Sequence, residues 1–118
     1  MNAFLLVGLG GVAGAVSRHL LGERIDERTL DTLAVNVVGS LLLGFLVAAP
    51  PSLVPDPARL ALGVGFCGAF TTFSTFAFET VRLAEMGEFR RAALNGGLNL
   101  VGALAAIFLG SGVAGLVA

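Results

Sequence analysis

The sequence has no tryptophan and no tyrosine, and it holds a single cysteine and a single histidine. Without Trp or Tyr, the amphipathic rings that usually mark a membrane–water interface are missing. A lone Cys67 excludes a disulfide framework within one chain. Charge is scarce as well: 13% of the residues are charged and the net charge is −1, against about 25% charged residues in a soluble domain. That balance argues against a nucleic-acid partner. Proline is absent outside one short stretch, Pro50 to Pro57, which holds all four. No nucleophile–base pair and no cluster of metal-ligating side chains is present, so an enzyme is the poorest reading.

What fills the chain is apolar. Hydrophobic residues make up 56% of its 118 positions, and the mean hydropathy is +0.93. The expected fold is an all-α membrane protein, with residues 1–118 forming one four-helix transmembrane domain. A span needs roughly 20 apolar residues, and the runs at about 3–21, 33–49, 58–78 and 92–117 meet or approach that length. The first run resembles a signal peptide superficially but lacks a basic segment ahead of its apolar core. Gly10 and Gly14 stand one helical turn apart in it and allow close helix contact. Between the first two spans, Gly22 to Asp31 is highly charged and reads as a water-exposed connection, with Asp31 or Thr32 as a helix cap. The proline stretch ends the second helix and starts the third. Glu79, Arg82 and Glu85 read as a solvated helix end, and Met86 to Arg91 as the last turn.

The basic residues are lopsided. Arg18, Arg24, Arg28, Arg82, Arg90 and Arg91 lie in or beside the first and third connections, while Arg59 stands alone near the second. The positive-inside rule then puts the first and third connections in the cytoplasm.

One stretch departs from plain lipid-facing helix: Gly65-Phe66-Cys67-Gly68-Ala69-Phe70-Thr71-Thr72-Phe73-Ser74-Thr75-Phe76-Ala77-Phe78. It holds five of the nine phenylalanines and four hydroxyl residues within five positions, and no charge. Irregular backbone at membrane depth survives only inside protein or beside a wet cavity, so the third helix is expected to break near its middle. Asn36, Ser40 and Gly44 line one face of the second span. Asn95 and Asn99, then Gly102, Ala106 and Gly110, line a stripe of the fourth. The apolar cores contain no carboxylate or histidine, which a proton relay would need. Amides and hydroxyls are donors that replace an anion's hydration shell, and phenyl rings present a positive edge. An uncharged, donor-lined path fits a small, strongly hydrated anion.

These residues carry a resemblance to a known family. Gly10-Gly11-Val12-Ala13-Gly14-Ala15-Val16-Ser17-Arg18, Asn36-Val37-Val38-Gly39-Ser40 and Gly65 to Phe76 together resemble the Fluc/CrcB fluoride channels over nearly the whole chain. The resemblance implies an antiparallel dimer with two fluoride pores at its interface. Phe73 and Phe76 would turn ring edges to fluoride, Asn36 would donate its amide, and Ser74 and Thr75 would add hydroxyls. Arg18 would stand at the vestibule. Ser40, Asn95 and Asn99 would form a polar track, although the family often has tyrosine and serine at the last two positions. The third helix would break near Gly68 to Thr71, and backbone carbonyls of those two residues would hold a structural Na⁺ at the dimer centre; Ala69 stands where a second glycine is common.

The implied function is passive export of cytoplasmic fluoride across the cell membrane, which lowers fluoride toxicity. The arginine bias suggests a partner subunit of opposite orientation as an alternative to self-pairing. Two other classes compete. A small multidrug-type transporter needs a carboxylate in its first span, and there is none. A non-conducting assembly subunit explains the small-residue stripes but not the hydroxyl cluster.

Overall fold

A computed structural model describes residues 2–117. Four helical segments are long and apolar enough to cross a membrane: α1 (Ala3–Arg24), α2 (Arg28–Ala48), a third span over Asp56–Glu85, and α5 (Phe89–Val117). The protein is a multi-pass membrane protein. Its third span bends at Thr71 and Thr72, which separate α3 (residues 56–70) from α4 (Phe73–Glu85).

Helix ends differ from the hydropathy limits, for local reasons. Asn2 caps α1 by accepting the Phe4 N–H at 2.7 Å. The helix then runs past Leu21 to Arg24, and α2 starts at Arg28, so only residues 25–27 connect them. Glu and Arg are good helix formers. Charge here marks where a helix leaves the apolar layer, not where it ends. Asp31 and Thr32 are therefore not caps. Asp31 lies in the first turn of α2, where a carboxylate favours the helix dipole, and Thr32 is buried.

After the prolines, the helix restarts at Asp56 with Pro57 in its first turn, where a missing N–H costs nothing. Arg59 Nη2 donates to the Ala49 and Val54 carbonyls at 2.7 and 2.9 Å. The isolated arginine of that end thus satisfies the free carbonyl end of α2. Leu60–Cys67 of α3 winds as a π-helix, a rare form that often accompanies function. Gly87, at φ +79°, closes α4: its N–H donates to Ala84 O at 3.0 Å, and the Glu88 N–H to Leu83 O at 2.8 Å. Those two bonds are a Schellman motif. Nothing beyond them opposes helix, so α5 begins at Phe89, ahead of Ala92.

Glycines decide which spans touch. A Cβ at Gly10 would land on the Ala61 carbonyl, and one at Gly14 on the Phe66 carbonyl. Thus α1 lies against α3, backbone to backbone. Gly44 and Gly110 do the same for α2 and α5, meeting the carbonyls of Ile107 and Leu41. Small residues at such crossings let dispersion act over a long seam, which is what holds helices together in lipid. From Gly10–Ala61 to Gly14–Phe66 in one pair, and from Asn36–Asn99 to Gly44–Ser111 in the other, contacts advance in the same direction on both members, so spans one and three run parallel, as do spans two and four. Leu46, Ala49, Val54, Cys67 and Ala114 form the core near one end. At the other end Arg91 Nη2 stands 3.8 Å from Glu27 Oε1, which brings the first and third connections together; an exposed pair of this kind adds little stability.

Candidate functional site

The bend is built from side chains on three spans. Thr71 (φ −82°, ψ 161°) and Thr72 (φ −149°, ψ 120°) are extended, whereas Gly68 (φ −61°, ψ −35°) is still helical. The departure from helix therefore lies at the threonine pair rather than at the glycine. Thr71 Oγ1 donates to the Cys67 carbonyl at 2.8 Å and finishes α3. Thr72 caps α4, its Oγ1 accepting the Thr75 N–H at 3.2 Å.

Asn36 of α2 holds the bend in place. Its Oδ1 accepts the Thr72 N–H at 2.8 Å, and its Nδ2 donates to the Thr72 carbonyl at 3.1 Å. The second Nδ2 hydrogen goes to Asn99 Oδ1 at 3.0 Å. An unpaired backbone group in a dry interior is costly, so one amide meeting both polar groups of Thr72 is what makes extended backbone tolerable there. The bend also leaves carbonyls without helical donors. The Thr72 N–H, which would return to Gly68 O in a straight helix, is held by Asn36; the Thr75 N–H, which would return to Thr71 O, is held by Thr72 Oγ1.

From Asn36 the bonding continues through α5. Asn99 Nδ2 donates to Asn95 O at 2.9 Å and to Asn95 Oδ1 at 3.3 Å. Asn95 Nδ2 donates to Thr80 Oγ1 at 2.9 Å, and Thr80 Oγ1 donates to the Phe76 carbonyl at 2.8 Å. Asn95 and Asn99 are buried, and each amide is satisfied within the protein.

Two cavities meet at Thr72. One is an open groove of about 780 Å³, lined by Asn36, Ser40, Gly68, Thr71, Phe73, Phe76 and Asn99. In it the Phe73 and Phe76 rings stand 5.8 Å apart at 55°, and Phe73 is 78% exposed. The second is a charged vestibule of about 610 Å³ that contains Arg18 and Thr75. Arg18 Nη2 donates to Thr75 Oγ1 at 3.1 Å, and Thr72 Oγ1 donates to the same oxygen at 3.1 Å. Thus the groove and the vestibule are joined by a short relay of hydroxyls.

Most of the residues singled out in the sequence come together here. Ser74 is the marginal one: it is exposed, and its hydroxyl is 3.5 Å from Thr72 Oγ1. Asn95 faces Thr80 and lines neither cavity. Three residues gain a part that sequence reasoning missed. Thr72 is the junction, and its place three residues before Thr75 at a helix start was a readable capping signal. Asp31 and Glu79 line the vestibule, each with one buried carboxylate oxygen that has no hydrogen-bond partner. Glu79 is thus half-buried rather than a solvated helix end, and no local pattern marks it. Among the described residues, no group of His, Cys, Asp or Glu could hold a metal ion.

Comparison with known proteins bears on this arrangement. Residues 5–111 match the family described as CrcB-like protein, Camphor Resistance (CrcB). The chain belongs to the CrcB family. It is 53% identical over 106 residues to fluoride-specific ion channel FluC 2 of Natronomonas pharaonis, covering 90% of this chain and 89% of that one. Over 114 residues it is 49% identical to fluoride-specific ion channel FluC 2 of Haloarcula marismortui, covering 95% and 93%. The fluoride-specific ion channel FluC of Methanocaldococcus jannaschii is 42% identical over 117 residues, covering 93% and 92%. These CrcB relatives are named as channels rather than enzymes, and the matched span contains every residue of the groove and the vestibule.

Proposed function

We propose that the chain forms a fluoride-selective channel through which cytoplasmic fluoride leaves passively. The observation that carries this reading is the Asn36–Thr72 clamp. It sets an uncharged bend between an arginine-bearing vestibule and a groove lined by phenyl rings. The names of the relatives support the choice of anion. Fluoride enters from the vestibule, where Arg18 offers a local positive charge beside Thr75, among the carboxylates of Asp26, Asp31 and Glu79. It passes the hydroxyls of Thr75 and Thr72 and the Asn36 amide, then meets the ring edges of Phe73 and Phe76. Positive side chains deeper in the path would hold the ion too tightly to let it go. Fluoride that enters a cell as HF dissociates at the higher internal pH and is trapped; a pore releases it without ATP.

The groove is open along its side, and Phe73 is too exposed for a ring with a task at membrane depth. A second subunit, antiparallel to the first, closes it on this reading. That subunit is a second copy, or a homologue of opposite orientation as the arginine bias suggests. The Gly68 and Thr71 carbonyls have both lost their helical donors, and a Cβ at Gly68 would meet nothing within 4 Å. Such free, hard oxygen donors fit a Na⁺ ion shared between subunits, which would lock the bend.

Purified chain in liposomes, followed with ion-selective electrodes, tests the proposal. Fluoride should leave rapidly while chloride stays; equal release of both, or of neither, rejects it. Phe73→Ile keeps an apolar side chain but removes the ring edge, and efflux should fall at least ~10-fold with the assembly intact. Arg18→Gln should slow fluoride entry several-fold at low salt, with the deficit shrinking as ionic strength rises, because vestibule attraction is screened.

A further inference from the structure

We propose that Asn99 is a positioning residue for the anion path: its Oδ1 keeps the second amide hydrogen of Asn36 whenever no anion stands beside it. In doing so it sets how tightly the path grips fluoride. The inference rests on the channel reading above and deepens it.

Asn36 Nδ2 has two hydrogens, and they are not equivalent. One is bound to the Thr72 carbonyl, while Asn36 Oδ1 holds the N–H of the same residue. Releasing that hydrogen would open half of the clamp that keeps the bend. The other is bound to Asn99 Oδ1 at 3.0 Å, and no backbone group depends on it. This is the hydrogen that Asn36 can turn to an anion in the groove that both residues line.

Asn99 is oriented for this role. Its Nδ2 donates to the Asn95 backbone carbonyl at 2.9 Å and to Asn95 Oδ1 at 3.3 Å. With its donor end tied to its own helix, its oxygen must face Asn36. Asn99 is only 6% exposed, and a leucine in its place would fill the position from which water could stand in for its oxygen.

The consequence is energetic. A buried donor without an acceptor costs free energy, and an arriving anion would relieve that cost. With Asn99 in place the donor is satisfied before and after the ion passes. The ion gains less by stopping and leaves sooner, as rapid conduction requires. Without the Asn99 oxygen, the empty path carries an unmet donor. Fluoride then binds more tightly and departs more slowly.

The test compares fluoride efflux from liposomes over a wide range of internal fluoride for the intact chain, Asn99→Leu, Asn99→Ala and Thr80→Val. Asn99→Leu keeps the side-chain volume and removes the acceptor. Its half-saturating fluoride concentration should fall by about tenfold, the scale of one hydrogen bond, and its maximal rate should fall too. Asn99→Ala should shift in the same direction by less, and it decides the matter if the leucine variant does not assemble. Thr80→Val cuts the far end of the same hydrogen-bonded chain but leaves the Asn36–Asn99 bond. It should leave half-saturation where it is, whereas a merely structural role for the chain would move it as well. An unchanged or raised half-saturation in the Asn99 variants, linear rates in all of them, or an equal shift in Thr80→Val overturns the inference. Absence of fluoride-selective efflux from the intact chain instead rejects the channel reading itself.

Discussion

Asn36→Asp is expected to lower fluoride efflux by roughly a thousandfold. The side chain keeps its shape but loses both amide hydrogens. Its contacts with the Thr72 carbonyl at 3.1 Å and Asn99 Oδ1 at 3.0 Å become oxygen facing oxygen. Only the bond from the Thr72 N–H survives, so the bend is held from one side. The new charge also stands against Thr72, where vestibule and groove meet. Two like charges ~4 Å apart repel by about 4 kcal/mol at an effective dielectric of ~20, and that alone is close to three factors of ten in rate. Ion-selective electrodes on reconstituted protein would measure it directly. Efflux within tenfold of the unaltered chain would mean that Asn36 does not border the path.

The second large effect is on the fold. Gly44→Ala should destabilise the protein by ~3 kcal/mol, near the upper end of overpacking costs. The added carbon would land on the Ile107 carbonyl, a backbone group that cannot swing aside as a flexible side chain could. α2 and α5 would have to part along a seam that also positions Asn36 against Asn99. Gly112→Ala is the contrasting variant: a Cβ there meets nothing within 4 Å. Helix propensity alone then applies, and it favours alanine by up to ~1 kcal/mol. Unfolding in detergent should therefore show opposite signs for the two substitutions. A neutral or stabilising Gly44→Ala would mean that the α2–α5 seam is looser than its geometry indicates.

The residues of the site were easier to find than their arrangement. Asn36, the threonine pair and Phe73 with Phe76 stood out because polar and aromatic groups cluster where lipid asks for plain hydrocarbon. That Asn36 grips Thr72 was not readable, since 36 positions separate them. The Gly10–Gly14 spacing announced a close crossing but not its partner, the π-wound part of α3. Glu79 was misplaced because sequence position near a helix end resembles solvent exposure, while its burial depends on α2.

Hydropathy and charge are properties read along a line. They were enough for membrane residence, the number of spans, and the neutrality of the hydroxyl-rich stretch. How deep each helix sits and which way it is turned are different matters. Lipid tails are as apolar as the side chains that pack against other helices, so outer and inner faces share one composition. The pairing of spans one with three and two with four, the two-sided clamp on Thr72, and the destination of each asparagine hydrogen were therefore decided only in three dimensions.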